Sequence, residues 1–319
     1  MKAVLLDADT LGQWQADQDI ETNVNLLPLS ECFEQLDIYG LTKPEQVIER
    51  CQDKEVIITN KVVIDRSLMQ QLPQLKVIQL AATGMNNIDL IAAKEMGIQC
   101  FNVADYSTFA VAQLTLSFIL NAANRTCEHH LLTKSGAWQQ SRMFTLTNYP
   151  TMEVAGKNLL LIGYGNIGKK VEQLARAFDM KVQVANIPGR PFRENQIGLQ
   201  ESLPQADFVS LHCPLTDETK HLVNSDFLRQ MKSTAHLINT ARGPIIDETA
   251  LAEALINRQI AGASLDVLSQ EPPSPDNPLL QDKVPNIIIT PHIAWASFEA
   301  KQRLIEGMVN NLKSLNNVD

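Results

Sequence analysis

The stretch LLIGYGNIGKK, residues 160–170, constrains the fold of this chain more than any other. An apolar run breaks at Gly163, Gly165 and Gly168, which have the spacing G-x-G-x-x-G, and a helical pattern follows. This order predicts a strand, a tight turn and a helix whose first N–H groups can bind an anion. Such a turn normally opens the first unit of a nucleotide-binding domain, yet about half of the 319 residues precede it here. We therefore expect a separate unit ahead of the glycine turn.

Short β-rich runs alternate with helical patterns along almost the whole chain. The runs of the first hundred or so residues are KAVLLD, EVIIT, KVIQLAA and IQCFNV, and the later runs are NLLLIG, KVQVA, DFVSLH, AHLIN, GASLDV and NIIIT. Segments between them, such as PEQVIERC and DETALAEALINR, have apolar residues three or four apart. This alternation predicts an α/β fold with two Rossmann-like, doubly wound parallel sheets, each covered by helices on both faces.

The predicted domain boundaries follow from where the second series of strands begins. Residues 1–101 form the first unit, and residues 102–292 form the nucleotide-binding unit. A final helical pattern, from Ala296 to about Leu315, follows the last strand and can return to pack on the first unit. Residues 293–319 are therefore assigned to the first unit, which makes that domain discontinuous in sequence.

Charge and cysteine usage exclude several classes of function. The net charge of -9 repels the phosphates of nucleic acids and of anionic membranes, so neither is an expected partner. The five cysteines are scattered, and no two have metal-ligand spacing. The amino terminus, MKAVLLDAD, has acids where a signal peptide needs a long apolar core. We expect reduced thiols, a cytoplasmic location and no bound metal.

The uncharged stretch between Asp105 and Arg125 is long enough to span a bilayer. It also contains polar residues, among them Ser107, Gln113 and Asn121, which are too many for a lone membrane helix. We therefore predict a long helix that is buried between domains or subunits.

The glycine turn admits three interpretations. The glycines could serve only to pack a helix on a strand. Gly163, Gly168 and Lys169 also match most of a P-loop, but Lys170 stands where a P-loop needs the Ser or Thr that binds magnesium. A dinucleotide site is the favoured interpretation, and it predicts an acid about 20 residues further on to bind the adenosine ribose.

Asn186 stands where that acid is expected, at the end of the run KVQVA. An asparagine can accept a hydrogen bond from a ribose hydroxyl, but it does not repel a 2′-phosphate. Arg190 and Arg193 follow closely and could attract one. Because no arginine directly replaces the missing acid, NAD is weakly favoured and NADP stays open.

Three late strands are followed by reactive side chains. Arg242 follows AHLIN, Glu271 follows GASLDV, and His292 follows NIIIT. Ligands of an open parallel sheet bind beyond the carboxyl ends of its strands, so the three groups are expected at one edge. Each also has a simpler interpretation: a surface ion pair for Arg242, a solvated loop residue for Glu271 and a structural histidine for His292.

Reduction of a 2-keto acid requires such a set of groups. A planar guanidinium holds a carboxylate through paired hydrogen bonds. An imidazole can donate the proton that the carbonyl oxygen needs when hydride reaches C2, and it can accept that proton in the reverse direction. A carboxylate on the far ring nitrogen orients the imidazole and favours its protonated form. The set therefore predicts an oxidoreductase.

Several motifs resemble those of the D-isomer-specific 2-hydroxyacid dehydrogenases, and the match covers nearly the whole chain. They are TARG, SLDVLSQEPP and TPHIAWAS, while AATGMNNIDL and DNPLL point to the glycerate dehydrogenase, or hydroxypyruvate reductase, branch. The resemblance implies that Arg242 orients the substrate, that Glu271 is the histidine partner and that His292 is the acid/base. It also implies that residues 1–101 and 293–319 form a flavodoxin-like substrate domain, in which Gly84 helps to hold the substrate carboxylate. The cofactor contacts that it implies are Thr83, Gly163, Gly165, Asn166, Ile167, Gly168, Asn186, Cys213, Pro214, Thr240, Ala241 and Asp266.

The resemblance implies a substrate class as well. Hydroxypyruvate or glyoxylate would be reduced to D-glycerate or glycolate with NAD, or alternatively NADP. D-Lactate or another 2-hydroxy acid is the alternative substrate within the class, and a coenzyme-sensing, corepressor-like protein is the alternative outside it. The uncharged helix resembles the family's long helix at the dimer contact, so a homodimer is expected.

Overall fold

A computed structural model describes residues 1–12 and 24–315 of the protein, and the chain divides into two compact units. Unit 1 comprises Met1–Ser107 and Trp295–Asp319, and unit 2 comprises Thr108–Ala294. Each unit is built on one parallel sheet. The predicted fold class, α/β with two doubly wound parallel sheets, is confirmed.

Unit 1 has a five-stranded sheet in the order β2-β1-β3-β4-β5. Its strands are β1 Lys2–Leu5, β2 Gln35–Ile38, β3 Val56–Thr59, β4 Val77–Leu80 and β5 Gln99–Phe101. The α-helices described before residue 108, in residues 1–12 and 24–107, are α1 Leu27–Ser30, α2 Val47–Cys51, α3 Arg66–Gln70 and α4 Leu90–Glu95. The strands β3 and β4 are buried along their whole length, as expected for central strands covered on both faces.

Unit 2 has a seven-stranded sheet in the order β12-β11-β10-β9-β6-β7-β8. Its strands are β6 Asn158–Ile162, β7 Lys181–Ala185, β8 Gln196–Ile197, β9 Phe208–Leu211, β10 His236–Asn239, β11 Gly262–Leu265 and β12 Ile287–Ile289. Its helices are α5 Thr108–Asn124, α6 Thr126–Lys134, α7 Asn166–Ala177, α8 Leu199–Ser202, α9 Ser225–Gln230 and α10 Glu248–Ile256. The order changes direction at β6, and in such sheets ligands bind beyond the strand ends at this point.

The C-terminal helix, α11 Phe298–Leu315, belongs to unit 1 although it follows unit 2 in the chain. Its buried face consists of apolar residues three or four apart: Ala300, Leu304, Ile305, Met308, Val309 and Leu312. Asn311 Nδ2 donates hydrogen bonds to Gln79 Oε1 of β4 at 3.2 Å and to Asn102 O at 2.8 Å. These bonds attach the helix to the sheet of unit 1.

The chain leaves unit 1 at Ser107 and re-enters it at Trp295, a few residues after the predicted boundaries at 101 and 293. The segment after β5 stays with unit 1 because Arg303 Nε of α11 donates a hydrogen bond to Tyr106 O at 2.9 Å. The Tyr106 and Trp295 rings also make an edge contact, with centroids 6.3 Å apart. The two positions at which the chain leaves and re-enters unit 1 therefore adjoin the contact between Tyr106 and Trp295.

The uncharged helix α5 is buried against the sheet of its own unit. Ala112, Phe118 and Ile119 pack with apolar residues of β6, α7 and β9. The hydroxyl groups of Thr115 and Thr240 share a hydrogen bond of 3.0 Å. Among the described residues, none of the helices combines the length and apolar character that crossing a bilayer requires.

Candidate active site

The three glycines of the turn after β6 meet different surroundings. A Cβ atom at Gly163, which has a φ of +107°, would lie 2.4 Å from the backbone of His212. A Cβ at Gly168 would lie 2.5 Å from Gly163 O, so both glycines are required by packing. A Cβ at Gly165, by contrast, would meet no protein atom within 4 Å. The packing of the protein does not require a glycine there, which leaves room for a ligand at the first turn of α7.

A groove of about 930 Å³ adjoins this turn within unit 2. It is lined by Gly163, Gly165, Asn186, Arg190, Arg193, Pro214 and further residues of β7, β8 and α7. Asn186 Nδ2 donates a hydrogen bond to Arg190 O at 3.1 Å, whereas Asn186 Oδ1 is buried without a hydrogen-bond partner among the described residues. Buried acceptors are rarely left unpaired, so this atom fits a ribose hydroxyl of a bound nucleotide.

Two neutral side chains, Cys213 and His212, follow the end of β9, and His212 lines the groove. Burial raises the pKa of the Cys213 thiol to about 11, and it lowers the pKa of His212 to about 4. His212 Nε2 also forms a hydrogen bond of 2.9 Å with Ser210 Oγ. Both groups are therefore uncharged near neutral pH, which suits contact with an adenosine better than proton transfer.

The register of the sheet places the three reactive groups at one level. The aligned last residues of β10, β11 and β12 are Asn239, Leu265 and Ile289. Arg242 and His292 each lie three residues beyond their own strand end. Glu271 is held at the same level because its Oε1 accepts a hydrogen bond from Leu268 N at 3.0 Å. The structure therefore brings the loops carrying these groups to neighbouring positions at one edge of the sheet.

His292 and Glu271 are paired directly. His292 Nδ1 and Glu271 Oε2 lie 2.6 Å apart, and the side chains are 26% and 34% exposed. The backbone of His292 has a φ of +54°, and its N–H donates to Asp266 O at 2.8 Å. The simpler interpretations, a solvated Glu271 and a structural His292, do not account for a strained backbone that presents a partly exposed acid–imidazole pair.

Arg242 is half-buried, and its Nη1 donates a hydrogen bond to Ala241 O at 2.7 Å. It forms no ion pair with a carboxylate of the described residues, so it is not the surface ion pair of the simpler interpretation. Its remaining N–H groups are available for a substrate carboxylate.

Asp266, at the end of β11, fixes the segment that carries His292. Its carboxylate accepts hydrogen bonds from Thr290 Oγ1, from Ile293 N at 2.9 Å and from Ala294 N at 2.8 Å. Burial raises the pKa of this carboxyl group, although these three bonds oppose the shift. The observed role of Asp266 is therefore positional, and its contact with a coenzyme stays a prediction.

The remaining predicted site residues are distributed over both units. Thr83 and Gly84 follow β4 in unit 1, where Thr83 Oγ1 donates to Val103 O at 2.9 Å. Asn166, Ile167, Pro214, Thr240 and Ala241 lie in unit 2. Their contacts with coenzyme or substrate stay predictions.

Two supporting residues were missed at the sequence level. Asn239 brackets the loop of Arg242, because its Nδ2 donates to Arg242 O and its Oδ1 accepts from Ala241 N, both at 2.9 Å. A Cβ at Gly243 would lie 1.9 Å from the backbone carbon of Leu268, so the loops after β10 and β11 touch directly. The glycine after the arginine in TARG was the available signal. Among the described residues no cluster of His, Cys, Asp or Glu has the arrangement of a metal site.

The parallel sheet of unit 2 has a groove beside its glycine turn, and it places the histidine–glutamate pair at the strand-end level of Arg242. This combination is typical of the class of dinucleotide-dependent oxidoreductases. Residues 116–294 match the family model described as D-isomer specific 2-hydroxyacid dehydrogenase, NAD binding domain. The chain therefore belongs to the D-isomer-specific 2-hydroxyacid dehydrogenase family, and the resemblance seen in the sequence is confirmed.

Named relatives extend this similarity beyond the matched domain. A hydroxypyruvate reductase of Blautia hydrogenotrophica is 37% identical over 317 residues, which cover 98% of this chain and 96% of that protein. A glycerate dehydrogenase of Methylorubrum extorquens is 38% identical over 271 residues, or 85% of each chain. The crystal structure of the TT0316 protein from Thermus thermophilus is similar with a TM-score of 0.84 at 33% identity, covering 99% of this chain and 97% of that one. The similarity to the hydroxypyruvate reductase thus covers nearly the full length of the chain, and the similarity to the glycerate dehydrogenase covers 85% of it.

Proposed function

We propose that this enzyme reduces hydroxypyruvate or glyoxylate to D-glycerate or glycolate, with a proton from His292. The observation that carries the proposal is the 2.6 Å pairing of His292 Nδ1 with Glu271, at the strand-end level of Arg242. The relatives named hydroxypyruvate reductase and glycerate dehydrogenase support this substrate class. When bound, a reduced nicotinamide coenzyme supplies the hydride to C2 of the keto acid.

His292 acts as the general acid in this proposal. Its Nδ1 is committed to Glu271, which leaves Nε2 for the substrate. Nε2–H donates a hydrogen bond to the C2 carbonyl oxygen and transfers its proton as that oxygen gains negative charge. Glu271 keeps the ring oriented and balances the charge of the imidazolium before the transfer. General acid catalysis of this kind contributes about 10²–10⁴ in rate.

Arg242 binds the substrate carboxylate in this proposal. Two parallel N–H···O bonds from one guanidinium fix the plane of the carboxylate and therefore the direction of the neighbouring carbonyl group. The Asn239 bonds on either side of Arg242 hold its loop in place. Gly84 of unit 1 is proposed to add a backbone N–H to the same carboxylate.

The dinucleotide contacts are proposed for residues of the glycine turn and of the strand ends beside it. Gly163, Gly165, Asn166, Ile167 and Gly168 would hold the pyrophosphate, because the start of α7 offers N–H groups and open space there. Asn186 would accept from the adenosine ribose. Cys213 and Pro214 would lie near the adenosine, and Thr83, Thr240, Ala241 and Asp266 would lie near the nicotinamide half.

A steady-state panel of 2-keto acids tests the proposal. Hydroxypyruvate, glyoxylate, pyruvate and a branched keto acid would each be assayed with NADH and with NADPH, and the product would be resolved by chiral chromatography. We expect the highest kcat/KM with hydroxypyruvate or glyoxylate and a D product from hydroxypyruvate. A higher kcat/KM with pyruvate would favour a D-lactate dehydrogenase. Coenzyme binding without turnover of any keto acid would favour a coenzyme sensor instead.

We also propose that the enzyme is a cytoplasmic homodimer. All five cysteines are free, which suits a reducing compartment. Leu131 of α6 and the following residues Met143 and Phe144 are 67%, 63% and 86% exposed. Apolar groups this exposed commonly mark protein interfaces. Sedimentation equilibrium should give twice the chain mass, and Phe144→Asp should shift the mass toward the monomer. A wild-type enzyme that sediments as a monomer would contradict this proposal.

A further inference from the structure

We propose that Asn186, Arg190 and Arg193 form a binding site for the 2′-phosphate of an adenosine ribose, so that this enzyme prefers NADP(H) to NAD(H). The inference rests on the proposed function in one respect, because it takes the groove beside the glycine turn as the adenosine end of the coenzyme site. It reverses the weak preference for NAD drawn from the sequence.

The first step of the argument is the chemistry of Asn186. An NAD site of this fold uses a carboxylate that binds the ribose hydroxyls and repels a 2′-phosphate. Asn186 has no charge, and its buried Oδ1 has no hydrogen-bond partner among the described residues. That oxygen can accept from the ribose 3′-hydroxyl, which both coenzymes have. Asn186 can therefore bind the ribose as a carboxylate would, but it does not repel a 2′-phosphate.

The second step is the loop between β7 and β8, whose backbone is closed by hydrogen bonds. Asn186 Nδ2 donates a hydrogen bond to Arg190 O at 3.1 Å. Arg190 N donates a second one to Ile187 O, also at 3.1 Å. Arg193 N donates to Gln196 Oε1 at 2.9 Å. The two arginines are thus presented from a loop whose shape is already set, which reduces the entropy lost when they bind an anion.

The third step is the charge that faces the groove. The charged residues that line it are Glu172, Arg176, Arg190, Arg193 and Glu194. Glu172 and Arg176 pair with each other at 2.7 Å. Arg190 and Arg193 are exposed, and neither forms an ion pair within 4.0 Å with a carboxylate in residues 1–12 or 24–315. Among the residues that line the groove, the guanidinium groups of Arg190 and Arg193 are therefore opposed only by the carboxylate of Glu194.

The charge of Arg190 acts on two neighbouring groups. Glu218 has a lowered pKa, mainly because of hydrogen bonds from its own backbone and from Thr216, and Arg190 contributes to the lowering. Arg190 also opposes the rise that burial causes in the pKa of Cys213. Both groups are therefore close enough to interact electrostatically with its guanidinium. A 2′-phosphate, which carries about two negative charges, would compete with Glu218 for it.

Binding measurements without catalysis test this inference. The dissociation constants of NADPH and NADH would be measured by coenzyme fluorescence, and those of 2′,5′-ADP and 5′-ADP by calorimetry. We expect the member of each pair that carries a 2′-phosphate, NADPH or 2′,5′-ADP, to bind at least about tenfold more tightly. A hydrogen bond to a charged group contributes a binding free energy of about this size. The advantage should shrink as salt is raised, because the arginines are exposed.

Variants assign the effect to the three residues. Arg190→Ala and Arg193→Ala should each reduce the NADPH advantage several-fold, and the double variant should abolish it. Asn186→Asp should weaken the binding of NADPH, because the new carboxylate repels the 2′-phosphate, and it should strengthen the binding of NADH. The matched control is Arg229→Ala on α9, where an exposed arginine outside the groove pairs with Asp226. It should leave the ratio unchanged, and circular dichroism would verify that each variant is folded.

The outcomes separate this inference from the proposed function. NADH binding as tightly as NADPH, or arginine variants that keep the wild-type ratio, would overturn the 2′-phosphate site while keto acid reduction could still proceed. Failure of both coenzymes and both adenosine probes to bind would overturn the site and the proposed function together. A tenfold advantage that only the loop variants remove would support the site.

Discussion

His292 combines a strained backbone with an engaged side chain. A non-glycine residue with positive φ costs of order 1–3 kcal/mol, and here the φ is +54°. The cost is offset by the hydrogen bond from its N–H to Asp266 O and by the pairing of its ring with Glu271. Asp266 also binds the two residues after His292 through their N–H groups. The local structure therefore fixes where the imidazole points.

Replacement of the imidazole should abolish the proton transfer and leave the coenzyme site intact. We expect His292→Ala to lower kcat by about 10²–10⁴. Glu271→Gln, which keeps an acceptor but loses the charge, should give a smaller loss. The dissociation constant of the coenzyme should stay near the wild-type value in both variants. Wild-type turnover in His292→Ala would refute the general-acid assignment.

Replacement of the guanidinium tests the proposed contact with the substrate carboxylate. Arg242→Lys keeps the positive charge but cannot form two parallel hydrogen bonds. We expect KM for the keto acid to rise about 10- to 100-fold, with a smaller change in kcat. Arg229→Lys, on the surface of α9, is the control and should behave as wild type. An unchanged KM in Arg242→Lys would assign the carboxylate to another residue.

The strand-end loops of unit 2 are the elements on which the site depends. Parallel neighbours lie about 4.8 Å apart, so β10 and β12 are separated by roughly 10 Å across β11. The loop after β10 touches the loop after β11 at Gly243 and Leu268, and Glu271 bonds to Leu268 N. Contact between these two loops therefore sets the spacing between Arg242 and the histidine–glutamate pair.

A side chain at Gly243 should separate these loops. Its Cβ would lie 1.9 Å from Leu268 C, so the backbone must move. We expect Gly243→Ser to lower the free energy of unfolding by about 1–3 kcal/mol and to reduce kcat/KM as well. Gly198→Ser is the matched control, because the nearest atom to its Cβ is 3.9 Å away. Urea unfolding of both variants would measure the difference; equal stabilities would contradict the close contact.

At the scale of the whole molecule, each unit has one parallel sheet, and the chain passes between them at Ser107 and at Trp295. Unit 1 depends on residues from both ends of the chain, since α11 bonds to Gln79 and Asn102. Unit 2 contains two histidines that burial keeps neutral. His236 has a pKa lowered to about 3 by burial and, secondarily, by Arg125, and His212 has a pKa lowered to about 4 by burial.

These histidines should make the protein labile to acid. Below the ordinary histidine value of 6.5 the unfolded chain takes up a proton that folded His236 resists until about pH 3, so stability falls as pH falls through this window. The loss is about 1.4 kcal/mol per pH unit for each such group. His236→Gln, which can still bond to Ser264, should show a shallower decline in the free energy of unfolding. Parallel pH profiles for wild type and variant would contradict the assignment.

The strands that could be predicted from the sequence are those with continuous apolar runs. All ten predicted runs correspond to strands, whereas β2 and β8 were missed. Both missed strands lie at sheet edges, are partly exposed and carry polar residues such as Gln35, Asp37 and Gln196. These polar residues interrupt the apolar run from which a strand is predicted, whereas the other two edge strands, β5 and β12, lie within predicted apolar runs.

The candidate site divides in the same way. Arg242, Glu271 and His292 could be placed near strand ends because each follows an apolar run within a few residues. The contact of Gly243 with Leu268 and the unpaired Oδ1 of Asn186 could not be predicted. Both depend on atoms that are distant in sequence, and their distances arise only when neighbouring strands align.

The sequence by itself determined the elements and the order in which they occur, because apolar periodicity and glycine spacing act over a few residues. It thereby determined the α/β class, the glycine turn and which reactive side chains follow strands. The tertiary structure alone decided the register that brings Asn239, Leu265 and Ile289 into line, and with it the common level of the arginine, the acid and the imidazole. Pairing between strands from separate parts of the chain depends on the whole core packing at once, and no local stretch of sequence contains that information.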